Sequence, residues 1–445
     1  MFHNLKFKKH LSAFQIIFLG FFSLIIIGSL LLMLPISSAS GKITPFNESL
    51  FTATSAVCVT GLAVQDTGSY WSLFGQSVIL ILIQIGGLGV VTVTASFALL
   101  SGRKITLMQR VTMQEAIAAP KVGGIVRLTG FILKATAIFE TVGAIIMMPS
   151  FCREFGLKGI WISFFHSISA FCNAGFDILG TESSKFSSMT HYTGSIPINI
   201  ALMLLIIIGG IGFLTWEDIY SNKLKITRYR MQSKVILVTS AVLIIIPALY
   251  FFFFDLTDLP VKERILPSLF QSVTTRTAGF NTVDFAKMQS SSKALMIVLM
   301  LIGGSPGSTA GGLKTTTIAV LIANALATFE KKDSAHFFGR RIDNQVVKNA
   351  ATITMLYFTL SFTGALAIST AEKISFFTSF FETASAMGTV GLTLGITPTL
   401  GLFSQLILIA LMFCGRVGGL TLIYAAISQN KKNMSKYPAE HITVG

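Results

Sequence analysis

One nine-residue pattern occurs four times along this chain of 445 residues, and that repetition limits the possible folds more than any other feature. The copies are TSAVCVTGL (54–62), ISAFCNAGF (168–176), VTTRTAGFN (273–281) and ASAMGTVGL (384–392). Their glycines, Gly61, Gly175, Gly279 and Gly391, lie 114, 104 and 112 residues apart, and each precedes Leu or Phe. A glycine-rich anchor follows each copy: IGGLG (85–89), IGGIG (208–212), IGGSPG (302–307) and CGRVG (414–418). A repeat that keeps its phase over two anchors means one structural unit used four times.

The setting of that unit is apolar. Hydrophobic residues make up 52% of the chain and charged ones only 12%, against roughly 25% charged in soluble domains. A soluble enzyme and a disordered chain are both excluded. Runs long enough to cross a hydrocarbon core of about 30 Å are predicted near 13–34, 72–100, 128–148, 196–216, 235–254, 293–328, 346–370 and 402–428. Eight spans put both termini on one side. The N-terminal tail, 101–134, 217–234, 329–348 and the C-terminal tail together carry 22 Lys and Arg against 7 Asp and Glu. By the positive-inside rule that side is cytoplasmic, so the net charge of +15 is a topology signal and not a nucleic-acid signal. The four Cys, with no CxxC pair, read as small packing residues rather than a disulfide or zinc framework.

The fold class expected is an all-α integral membrane protein of four tandem parallel repeats, each a span, a re-entrant pore loop and a span. Repeat 1 covers 1–100; a cytoplasmic linker and repeat 2 cover 101–234; repeat 3 covers 235–328; a linker and repeat 4 cover 329–428; a short tail follows at 429–445. The outer connections are too long and too apolar for exposed turns, and a segment that returns to the side it came from satisfies its own backbone as a half-helix. Parallel copies close around an axis along the membrane normal, so a central pore is expected, with the negative ends of the half-helix dipoles facing it.

A potassium ion can exchange its water shell for a ring of backbone carbonyls, and glycine reaches the positive φ that turns carbonyls inward. The four loop glycines therefore read as one ring. The anchor glycines, such as Gly86 and Gly209, read instead as sites of close helix packing.

These residues, with GGSPGSTAGGLKTTT (303–317), resemble the Trk/Ktr/HKT family of potassium transporters, most closely its KtrB-type membrane subunits, over nearly the whole chain. The resemblance implies a selectivity filter at Gly61, Gly175, Gly279 and Gly391. The preceding carbonyls, of Thr60, Ala174, Ala278 and Val390, would bind K⁺ as the transported ion. Glycine rather than serine at position 61 implies potassium over sodium. It also implies that the broken span of repeat 3 is an intramembrane gating loop: Gly303, Gly304, Ser305, Pro306, Gly307, Ser308, Thr309, Ala310, Gly311 and Gly312. From the residues alone, proline amid five glycines should interrupt a helix, and non-helical backbone survives at that depth only in protein or beside water.

Arg416 is an intramembrane charge, expected to face the cavity below the filter and to hydrogen-bond carbonyls of that loop. Lys314 is read as snorkelling towards the cytoplasm. His166, Glu382, Asn173 and Arg276 read as scaffold around the loops, and Glu140 as paired with a neighbouring span. GSTAGGLKT falls short of a phosphate-binding loop because Leu313 separates Gly312 from Lys314. No catalytic set stands out.

Two function classes stay open at this level: a channel-like potassium uptake subunit and a carrier coupling K⁺ to Na⁺ or H⁺. The resemblance further implies a homodimer and a cytosolic, KtrA-like ring of RCK domains binding ATP or ADP. Sodium is a candidate regulator. The basic cytoplasmic loops, with Arg340-Arg341 and Lys331-Lys332, suit either that ring or anionic lipid.

Overall fold

The computed structural model describes residues 12–419 except 94, 96–104, 120 and 224. Both tails, including 429–445, and the ends of the second and eighth apolar runs lie outside the described residues. Along the chain the helices are α1 (Ala13–Met33), α2 (Phe46–Val57), the single-turn α3 (Thr67–Tyr70), α4 (Leu73–Leu88), α5 (Leu107–Ile117), α6 (Ile125–Phe155), α7 (Lys158–Phe171) and α8 (Ile196–Gly210). They continue with α9 (Phe213–Asn222), α10 (Met231–Tyr250), α11 (Val261–Thr274), α12 (Ser290–Leu301), α13 (Thr315–Phe329), α14 (Asn344–Glu372), α15 (Phe376–Gly388) and α16 (Leu402–Val417). The only sheet among the described residues is a hairpin of two-residue strands at His336–Phe337 and Arg340–Arg341.

The interior is largely apolar, as in a soluble protein, but much of the exterior is apolar as well. Helix α1 starts at a capping box, Ser12 with Gln15, and then turns Leu19, Phe22, Ile27 and Leu30 outward. The short helices α2, α7, α11 and α15 are buried, and their hidden faces carry polar residues such as Ser49, Thr52, Ser163, Ser272 and Thr383. Large apolar side chains outside, with hydroxyls gathered on the hidden faces of the short helices, fit a chain whose surroundings are lipid.

Eight spans were expected, two of them with ends outside the described residues. Among the described residues, four helices are long and apolar enough to cross a membrane: Ala13–Met33, Ile125–Phe155, Met231–Asp255 and Asn344–Glu372. Helices α8 and α9 form a fifth only as a pair bent by 98°. The second apolar run of each unit is cut at its glycine anchor. Gly89, Gly212 and Gly418 take φ of 87°, 92° and 90°, which no helix allows, and in the third unit residues 302–314 separate α12 from α13. Runs of hydrophobic residues cannot report such breaks, since an apolar kink scores like an apolar helix.

Candidate functional site

Each short helix ends in the same hairpin of backbone. Two residues before each loop glycine the chain is left-handed without glycine: Val59, Asn173, Thr277 and Thr389 have φ of 50°, 57°, 69° and 52°. The loop glycines follow at 91°, 69°, 83° and 91°. The residue between them, Thr60, Ala174, Ala278 or Val390, has no such φ.

Those hairpins meet in cyclic order. A Cβ built on Gly61, Gly175, Gly279 or Gly391 would fall at most 2.6 Å from the carbonyl oxygen of Ala174, Ala278, Val390 or Thr60 respectively. The contacts run first unit to second, second to third, third to fourth and fourth to first. All eight residues expected at the filter thus come together in one closed ring. A hollow of 120 Å³ adjoins the ring, lined by the four glycines with Asp66, Asp177 and Asn281.

The ring is held by hydroxyls that the motif comparison had not singled out. Gly61 N–H donates to Ser55 Oγ (3.0 Å) and Gly391 N–H to Ser385 Oγ (3.1 Å). Ser169 Oγ donates to the Phe176 carbonyl (2.8 Å) and Thr274 Oγ1 to that of Phe280 (2.5 Å). The signal was present: the second letter of each nine-residue copy is Ser, Ser, Thr and Ser. From there to the glycine is six residues in three copies but five in the third. Accordingly, Thr60, Ala174 and Val390 N–H reach back five residues, to the carbonyls of Ser55, Ser169 and Ser385, whereas Ala278 N–H reaches only four, to Thr274.

The anchor glycines seat the inner helices against these hairpins. A Cβ on Gly86, Gly209 or Gly415 would overlap the carbonyl oxygen of Val57, Phe171 or Met387, the ends of α2, α7 and α15. Close packing, expected for Gly86 and Gly209, is what the geometry shows. The third unit departs, because Gly303 faces Gly311 of its own loop.

That loop, 302–314, crosses directly beneath the ring. Ser305 N–H donates to Gly210 O (2.9 Å), Thr309 N–H to Gly209 O (3.2 Å), and Phe213 N–H to Gly307 O (2.7 Å). Thr309 Oγ1 lies 3.0 Å from both Phe171 O and Asn173 Oδ1, so Asn173 joins the end of α7 to the loop. Gly311 abuts Thr389. Arg416 donates to the carbonyls of Thr309, Gly86 and Gly87, the last at 2.8 Å. One guanidinium from the fourth unit thereby ties the loop of the third to the first, an extra bond that sequence reasoning did not foresee. Lys314 does not snorkel: its ammonium turns back on the Ala310 carbonyl (2.9 Å), with that of Gly311 at 3.4 Å. Below the loop, a cavity of 310 Å³ is lined by Arg416, Lys314 and Glu115.

The remaining sequence candidates divide. Buried Glu382 on α15 accepts from Thr393, from Leu394 N–H (3.1 Å) and from Thr397 (2.9 Å), clamping the chain that leaves the ring at Gly391. His166, at the matching place on α7, bonds only Ile162 of its own helix and is packed by Phe151, Phe165 and Phe280, so it clamps no loop. Arg276 donates to Ser240 Oγ on α10, and Glu140 accepts from Gln84 on α4. At the outer mouth, burial together with the nearby Asp66 carboxylate pushes the half-buried Asp177 up to about 7.

A ring of carbonyls inside an apolar helical shell defines a class, that of integral membrane proteins that pass cations. A sequence profile of the TrkH family, described as a cation transport protein, matches residues 3–437, and the chain belongs to that family, one of multi-pass membrane transporters and not of enzymes. It is 39% identical over 450 residues to the potassium/sodium uptake protein NtpJ of Enterococcus hirae, covering 98% of each chain. It is 36% identical over 438 residues to the Ktr system potassium uptake protein B of Bacillus subtilis, covering 97% of this chain and 96% of that one. The crystal structure of the potassium transporter TrkH from Vibrio parahaemolyticus matches with a TM-score of 0.76 at 18% identity, over 96% of this chain and 87% of that one, which shows a common fold.

Proposed function

We propose that this chain is the membrane subunit of a potassium uptake system in the plasma membrane, in which K⁺ follows its electrochemical gradient through a pore on the axis of four repeats. The observation that carries the reading is the cyclic contact of Gly61, Gly175, Gly279 and Gly391 with the carbonyls of Thr60, Ala174, Ala278 and Val390. K⁺ sits at those carbonyls, which replace its water without a fixed charge. The loop from Gly303 to Gly312 is the gate, held in place by Arg416 and backed by Lys314. The termini are cytoplasmic on the charge distribution, and the subunit works as a homodimer under a nucleotide-binding RCK ring, in keeping with a relative named as one component of a Ktr system.

A coupled carrier is the competing reading, supported by the relative named for both potassium and sodium uptake. Ion flux into proteoliposomes at set voltage separates the two, with K⁺ and Na⁺ compared for wild type and Gly61→Ser. Voltage-driven wild-type flux and loss of K⁺ preference in the variant support the glycine-ring pore. Flux that demands a sodium or proton gradient supports the carrier.

A further inference from the structure

On the lipid-facing side, behind the sharp bend between α8 and α9, lies a hollow of 550 Å³ walled by α6 and lined mainly by apolar side chains. Phe139 and Ile138 form one wall and Ile211 and Trp216 the other, with Lys134 and Tyr220 also lining it. Lys134 is exposed, and Arg127 lies seven residues earlier on the same helix, two turns or about 10 Å away on the same face. Neither has an ion pair or hydrogen bond among the described residues. The two acids of α9, Glu217 and Asp218, share one cation, Arg230, at 2.9 and 3.4 Å, and neither forms an ion pair with Lys134 or Arg127 among the described residues. A concave apolar surface with one cation, Lys134, in its lining fits an amphiphile with one greasy end and one anionic end. In a bilayer the abundant molecule of that kind is a phospholipid.

The same bend faces the loop on its inner side. Phe213 N–H bonds Gly307 O, Ser305 N–H bonds Gly210 O, and a Cβ on Gly212 would come to 2.6 Å from Pro306 O. We propose that the hollow behind the α8–α9 bend binds an anionic phospholipid, an acyl chain lying against Trp216 and Ile211 and the phosphate meeting Lys134, and that its occupancy keeps loop 302–314 seated. A ligand shifts an equilibrium only by binding one state better. The hollow exists in the conformation whose loop is seated, so the lipid favours that conformation and slows flux. The coupling rests on the gating role proposed above; the binding does not.

The test reads the two separately. The chain is reconstituted in vesicles containing brominated phosphatidylglycerol or brominated phosphatidylcholine at equal bromine content. The emission assigned to Trp216 is the part lost in Trp216→Phe, the other tryptophans being Trp71 and Trp161. The expected result is that phosphatidylglycerol quenches this emission at a several-fold lower mole fraction than phosphatidylcholine, and that Lys134→Gln removes the preference. Equal quenching by both lipids would mean ordinary annular contact and overturn the site. So would no quenching by either, the outcome if a second copy of the chain covers the hollow, or a preference that survives Lys134→Gln. For the coupling, phosphatidylglycerol should lower wild-type K⁺ flux several-fold and leave Lys134→Gln unmoved. Lipid-independent wild-type flux alongside preserved quenching overturns the coupling alone.

Discussion

Replacing Arg416 with glutamine tests the gate where its energetics are simplest. The guanidinium makes three bonds to backbone carbonyls, but only the one to Thr309 holds the loop; Gly86 and Gly87 belong to the end of α4. A hydrogen bond to a charged group contributes about 1.5–3 kcal/mol. Losing that one bond therefore shifts the balance between displaced and seated loop by roughly 10- to 150-fold, at tenfold per 1.4 kcal/mol. The charge effect has the same sign, since a positive group leaves the cavity through which a cation must pass. Single-channel-free assays suffice: voltage-driven K⁺ uptake into proteoliposomes, with protein per vesicle and thermal unfolding measured in parallel. The expected outcome is at least a tenfold rise in initial rate. A rate equal to wild type, or a lower rate from a variant that unfolds at the wild-type temperature, would refute the idea that this arginine holds the loop across the path.

Gly209→Ala puts a methyl group against the Phe171 carbonyl, and overpacking of this kind costs about 1–3 kcal/mol; a lower unfolding temperature and reduced flux are expected, and an unchanged melting curve would contradict the close seating of α8 on α7. Asp177, raised to about 7, loses its negative charge as external pH falls through that value, so uptake should drop on acidification with a midpoint near neutrality. Asp177→Asn should stay at the low-pH rate throughout, and a variant still following pH would place the titrating group elsewhere. Glu382→Gln weakens three bonds to Thr393, Leu394 and Thr397, and should lower the K⁺/Na⁺ flux ratio several-fold while the protein stays folded; an unaltered ratio would make the clamp irrelevant to selectivity.

The separation between what could be read and what had to be seen follows the range of the interactions. The four loop glycines were legible because a backbone that must adopt positive φ leaves a residue-type mark at one position, and fourfold repetition multiplies that mark. The anchor glycines were legible as close approaches for the same local reason, and Pro306 among its glycines announced a broken helix. Ser55, Ser169, Thr274 and Ser385 left a mark as well, hidden by the one-residue shortening of the third copy.

Other features have no local signature. Lys314 and Arg416 are both basic side chains beside glycines, and composition alone cannot say that one curls onto its own loop while the other reaches across three units. His166 and Glu382 stand nine residues before their glycines, yet only Glu382 has Thr393, Leu394 and Thr397 within reach. The breaks at Gly89, Gly212 and Gly418, which turn expected long spans into shorter helices, are invisible to hydropathy because an apolar bend and an apolar helix have the same composition. The sequence by itself thus determined an apolar, four-unit chain with a glycine at the working point of each unit. The tertiary structure decided that these glycines close into a ring, that a loop lies beneath it, and which distant carbonyls hold that loop, since such bonds depend on where residues about a hundred positions apart or more are brought together.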